Sequence, residues 1–182
     1  LGVVDPATLR VEWSGPLPGV HPQDRIHAIQ LDAHGAAWIA TAGSGLLRAT
    51  REPGWRLEPV ELPGGSRTER VFDVLVDGDG RIWAAGEHGL AFRDAKGWRR
   101  LTAADGLRAT FVTYLSTLRD GRVCVAYREP LGVSCLAPPP AGGAPEVEHL
   151  DTSRGLSPAR IYWHGEDGRG GRWFGSGMGI DL

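Results

Sequence analysis

Three arginines occupy matching places in this chain: Arg25, Arg70 and Arg160 each immediately precede the first apolar residue of a six-residue run. Phe111 holds the corresponding place before a fourth run. Cations brought to one rim bind an anion, such as an acidic sugar or a carboxylate, through charge-assisted hydrogen bonds. The plainer reading pairs them with the adjacent acids Asp24 and Glu69, or leaves them solvated. A second group of chemistry-bearing residues lies inside the runs. Tyr114, Tyr162, Trp163 and His164 stand where the other two runs, IHAIQL and VFDVLV, carry few rings. Such residues combine apolar area with a polar tip and suit a sugar or another ring, or else pack between unequal neighbours. The candidate ligand-binding residues are therefore Arg25, Arg70, Arg160, Tyr114, Tyr162, Trp163 and His164.

Other constellations are thinner. Asp77-Gly78-Asp79-Gly80 begins like a calcium loop, but the twelfth place falls on His88 and not on a glutamate. Asp77 is instead expected to cap its turn by accepting backbone N–H groups. The six histidines are scattered and neither they nor the two cysteines have zinc-ligand spacing. No catalytic residue, metal site or cofactor is expected. A net charge of −2 and a pI near 6.3 give no reason to expect a nucleic acid or an anionic membrane as partner. No apolar run approaches the roughly 20 residues that span a bilayer, so direct membrane insertion by this segment is not expected. No signal peptide is visible, and the chain starts at Leu1.

These residues are positioned by a repeat. Asp32, Asp77 and Asp167 each precede a tryptophan by six residues, namely Trp38, Trp83 and Trp173. A glycine lies three before each tryptophan: Gly35, Gly80 and Gly170. The remaining copy keeps Gly121 but has Leu118 for the aspartate and Cys124 for the tryptophan. The spacing between these anchors is 45, 41 and 49 residues. Gly45–Leu46, Gly89–Leu90, Gly132–Val133 and Gly179–Ile180 close the hairpins. First strands are expected at Ile26–Leu31, Val71–Val76, Val112–Thr117 and Ile161–Glu166, and last strands at Arg56–Leu62, Gly97–Thr102 and Glu146–Leu150. Glycine (27) and proline (13) sit in turns between short apolar runs, and no helical periodicity is visible.

Four-stranded units of this length are the signature of a β-propeller. The fold class is all-β: one domain, residues 1–182, of about four four-stranded blades at 26–62, 71–102, 112–150 and 161–182. Stacking such sheets gives each apolar face a neighbour. Two readings of the ends remain. The strand expected at Thr8–Trp13 completes the fourth blade and closes a four-membered ring, or the chain is a piece of a larger ring. The stop in mid-strand favours the piece. Across the second hairpin Trp83 should face Phe92. The equivalent pair in the third copy is Cys124 and Cys135, either a disulfide or two buried thiols filling a tryptophan-sized gap.

Asp77, Gly80, Trp83, Gly89 and Leu90 state the pattern D-x-x-G-x-x-W followed by G-[LI], with Asp105–Gly106–Leu107 and Arg154–Gly155–Leu156–Ser157–Pro158 between copies. This resembles the two-component regulator propeller repeat. The third copy departs from it. The resemblance implies a periplasmic input region of a hybrid histidine kinase or diguanylate cyclase, commonly of seven blades. On that reading the partners are a small molecule or oligosaccharide, other domains of the same signalling protein, and a second copy as a homodimer. The chain would sense a ligand without catalysis. The alternatives are a protein-interaction scaffold and a metal-dependent propeller lyase of the streptogramin type, with Glu87 and His88 as nearest candidates.

Overall fold

The computed structural model describes all residues except 1, 5–6, 9, 15–19, 21–22, 52–55, 138–142 and 144. Its strands are β1 (Gly2–Val4), β2 (Val11–Ser14), β3 (Ile26–Leu31), β4 (Ala37–Thr41), β5 (Leu46–Thr50) and β6 (Arg56–Val60). They continue as β7 (Val71–Val76), β8 (Ile82–Gly86), β9 (Gly89–Asp94), β10 (Gly97–Leu101), β11 (Val112–Thr117) and β12 (Val123–Tyr127). The last are β13 (Val133–Leu136), β14 (Val147–Leu150), β15 (Ile161–Glu166), β16 (Arg172–Ser176) and β17 (Gly179–Asp181). From β3 onward they form antiparallel sheets in chain order: β3–β6, β7–β10, β11–β14 and the three-stranded β15–β17. The two elements Asp105–Gly106–Leu107 and Arg154–Gly155–Leu156 each begin at the last residue of a single 3-10 turn, Ala103–Asp105 and Thr152–Arg154.

Of the two readings of the ends, the one in which Thr8–Trp13 completes the fourth blade is not the pairing seen. Val11–Ser14 does not complete the fourth sheet; it pairs antiparallel with Gly2–Val4 in a separate two-stranded sheet. One edge of its backbone is therefore engaged by a local hairpin partner. Among the described residues the fourth sheet ends at β17.

The D-x-x-G-x-x-W spacing has a single physical cause. Asp77 Oδ1 accepts the N–H groups of Asp79 (3.0 Å) and Arg81 (2.9 Å), while Oδ2 accepts the Trp83 ring N–H (2.8 Å). Asp32 does the same for His34, Ala36 and Trp38, and Asp167 for Arg169, Gly171 and Trp173. One carboxylate shapes the turn and satisfies the indole that the core would otherwise leave unpaired. Gly80, at φ 77°, takes the left-handed place that this turn requires. Gly132 serves a different need, because a Cβ there would run into the Leu150 carbonyl.

Both faces of the central sheets are covered. Trp38, Ala40 and Leu46 pack on Val71, Val74, Ile82, Ala84 and Ala91 of the second sheet. Trp83, Ala85, Leu90 and Phe92 pack on Val112, Leu115, Val123, Val125 and Tyr127 of the third. Trp83 faces Phe92 in register, with stacked rings 4.9 Å apart. In the third sheet Cys124 opposes Cys135, and the two are joined by a disulfide. They pack with Leu118 against Ile161 and Phe174 of the fourth sheet. The matching face of the fourth sheet is open: Trp163, Trp173 and Ile180 are 50%, 37% and 73% exposed.

Candidate functional site

The strands β3, β7, β11 and β15 are neighbours in that order, so their first residues share one end of the stack. Each carries the same irregularity. The register slips after the first residue, leaving His27, Phe72, Thr113 and Tyr162 as the extra residue. A bulge of this kind re-aims a side chain. Nothing in the alternation of apolar residues marks it in the sequence.

Bulging brings rings together across the strand starts. His27 stacks on Phe72 at 5.3 Å, and Phe72 meets Phe111 at 4.9 Å. His27 Nδ1 lies 2.8 Å from the Val71 carbonyl of the next sheet. Hairpins also open at this end, because Ala42, Glu87 and Arg128 donate their N–H groups to the carbonyls of Arg25, Arg70 and Phe111.

Arg25 and Arg70 start neighbouring strands, with exposed side chains. Neither they nor Arg160 form an ion pair among the described residues. Glu69 does not serve Arg70; it is buried against Arg100 at 2.7 Å, tying the connection before β7 to the outer strand β10. The Arg160 guanidinium lies over the Tyr162 ring at 5.1 Å, and its Nε is buried without a hydrogen-bond partner. Phe111 breaks the arginine series in sequence, yet Arg128 from the β12–β13 turn lies over its ring at 5.0 Å. Every sheet therefore supplies a cation at this mouth: Arg25, Arg70, Arg128 and Arg160. Arg128 was not legible in the sequence, since it belongs to a hairpin and not to the repeated place.

Of the remaining candidates only Tyr162 stays with this ring of cations. Tyr114 is half-buried and meets the His164 ring edge-on at 5.0 Å. His164 is 2% exposed; its Nδ1 lies 2.6 Å from Ser116 Oγ, and its Nε2 has no partner. Burial pushes its pKa down to about 3. In the neighbouring seam Asp73 accepts the Leu115 N–H at 2.8 Å and the Val74 N–H at 2.9 Å. Burial nevertheless pushes its carboxyl up to about 6. Burial first, and then the Asp73 charge, raise the Tyr114 hydroxyl. Trp163 lies on the open face of the fourth sheet, its ring close enough to Gly165 that a Cβ there would stand 2.9 Å away. Tyr162 is exposed beside Arg160. Glu87 holds the Arg70 N–H at 3.0 Å, and His88 is exposed. The structure thus divides the predicted set into a mouth (Arg25, Arg70, Arg160, Tyr162), a buried seam (Tyr114, His164) and an uncovered face (Trp163).

No protein-family profile and no curated protein matches this chain. Solved structures do. The extracellular domain of the protein named as hybrid two component system BT3049 from B. thetaiotaomicron superposes with a TM-score of 0.67 at 21% identity. The match covers 85% of this chain and 21% of that one. The corresponding domain of BT4673 from the same organism gives 0.69 at 20% identity, over 86% of this chain and 22% of that one. Virginiamycin B lyase from Staphylococcus aureus gives 0.61 at 12% identity, over 86% and 54%. The chain spans about a fifth of the length of the two extracellular domains. With its radial order of short antiparallel sheets, this chain has a β-propeller fold, of which it builds three four-stranded blades and one that is three-stranded among the described residues.

Proposed function

We propose that this chain is a ligand-sensing part of the extracytoplasmic input region of a larger bacterial signalling protein, and that its ligand binds at the mouth where the inner strands begin. One observation carries the site: each of the four blades places a cation there, beside a row of rings, and the fold uses none of those cations in an ion pair among the described residues. A row of arginines with neighbouring rings suits an anionic ligand with an apolar face, such as an acidic oligosaccharide. The likeness to extracellular domains of two component systems supports the signalling role, with output in domains beyond this segment. The Cys124–Cys135 disulfide supports an extracytoplasmic address, since such bonds persist in oxidising compartments. Binding would alter packing against a neighbouring domain or a second copy.

The test is thermal melting with trigalacturonate. It should raise the melting temperature of the wild type, and raise it less after Arg25→Gln, Arg70→Gln, Arg128→Gln and Arg160→Gln are combined. Equal shifts in both proteins would rule out the mouth.

A further inference from the structure

At the opposite end of the stack, the Asp turns of blades one and two stand side by side and enclose a groove of about 710 Å³. Its walls include Asp32, Trp38, Arg48, Arg81, Arg93 and Lys96. The strand β7 separates this groove from the mouth, because Val71 lies at one end and the Asp77 turn at the other.

Arg48 is out of character with its place in the repeat. The residue facing the blade's tryptophan across the hairpin is Phe92 in blade two, and the pair is Cys124–Cys135 in blade three. Blade one puts Arg48 opposite Trp38. Its guanidinium lies over the indole at 5.6 Å, and its Nε is buried without a hydrogen-bond partner. Glu58 opposes it on β6 but pairs with Arg56 at 3.8 Å. A half-buried cation with a desolvated, unanswered N–H costs free energy unless an acceptor arrives.

The rest of the groove points the same way. Arg93 and Lys96 are exposed and form no ion pair among the described residues. The acids lining it are already engaged. Asp32 accepts from His34, Ala36 and Trp38. Asp79 pairs with Arg81 at 2.6 Å, and Asp94 Oδ1 accepts the backbone N–H of Lys96 at 2.7 Å. What remains available is three donors without acceptors, in a space matching the roughly 300–1,000 Å³ of small-molecule sites.

We infer that the blade-one/blade-two groove is a second binding site, for a small organic anion bearing two or more acidic groups, carboxylate or phosphate, held by Arg48, Arg93 and Lys96. The planar fork of Arg48, backed by Trp38, takes one acidic group edge-on, and Arg93 and Lys96 take the other.

Calorimetric titration of the whole chain with citrate, inorganic phosphate and acetate tests this. Citrate or phosphate should bind at millimolar concentration or better and acetate more weakly. Arg48→Gln and, separately, Arg93→Gln with Lys96→Gln should each weaken binding by about tenfold, the size expected for one charge-assisted contact. The second variant alters exposed residues only, so it keeps the test valid if Arg48→Gln unfolds. Because the mouth is itself proposed to take anions, the groove variants are also titrated in the Arg25→Gln, Arg70→Gln, Arg128→Gln and Arg160→Gln background, where the groove's share of binding should remain and should weaken by the same factor. Preference for citrate or for phosphate identifies the acidic group. Absence of binding by both, or binding unchanged in the groove variants and lost in the mouth variant, overturns the proposal.

Discussion

The seam between blades two and three and the seam between blades three and four fill the same slot by different chemistry. In the first, Trp83 is buried, stacks on Phe92 and gives its ring N–H to Asp77. In the second, the slot holds the Cys124–Cys135 disulfide with Leu118, facing Ile161 and Phe174. Aspartate and tryptophan are both absent from blade three, where Leu118 packs with the disulfide and no indole calls for a carboxylate. The lost ring leaves less apolar area, and the covalent bond offsets part of that by limiting the unfolded chain. The second seam also admits polar groups, Ser116 and His164, at places that are Leu75 and Val74 in blade two. One seam is held by area and a satisfied hydrogen bond, and the other by a cross-link.

The largest effect that separates them is expected from Trp83→Ala. Removing a buried ring costs about 3–5 kcal/mol, and Asp77 Oδ2 loses its indole donor. Urea unfolding of this variant should show a much lower midpoint than that of Cys124→Ser with Cys135→Ser. A smaller loss for Trp83→Ala would break the comparison.

The next effect belongs to the cross-link. Replacing both cysteines by serine should cost roughly 2–3 kcal/mol, as expected for closing a short loop. In the wild type, alkylation without reductant should leave both thiols unlabelled by mass. Labelling of both would remove the disulfide from the argument.

The smallest effect is the pH dependence of the second seam. His164 is held far below its ordinary value of 6.5, so the unfolded chain binds the proton first. Its contribution is present above pH 6.5 and is lost as pH falls toward 3, at up to about 1.4 kcal/mol per pH unit. Asp73 runs the other way. Its carboxyl is raised from 3.8 to about 6, so its contribution is full below pH 3.8 and declines as pH rises through 6. The two nearly offset between those values, leaving about 1 kcal/mol or less of net change per unit. His164→Leu should therefore gain stability relative to the wild type as pH falls from 7 to 4.5. Asp73→Asn should lose it more steeply. Parallel curves for all three proteins would show that neither group titrates with folding.

Much of the fold was legible because its causes are local. One aspartate must reach two turn N–H groups and an indole, and that fixes the D-x-x-G-x-x-W spacing in the three copies that carry it. That Cys124 faces Cys135 followed from hairpin register in the same way, whereas the bond between them did not. The candidate site was legible only in part. The repeated arginines could be found by their place, whereas Arg128 reaches the mouth from a different hairpin and replaces the cation missing at Phe111. The aromatic inner strands read as one group, but the stack separates them, burying His164, half-burying Tyr114 and leaving Trp163 on an open face.

What the sequence determined by itself was the repeat, the strands and the turn chemistry, since each depends on residues a few places apart. What only the tertiary structure decided was which residues of different blades meet. That includes the ring row of His27, Phe72 and Phe111 and the groove around Arg48. These depend on a bulge too small to alter the apolar pattern and on the side-by-side stacking of sheets far apart in the chain.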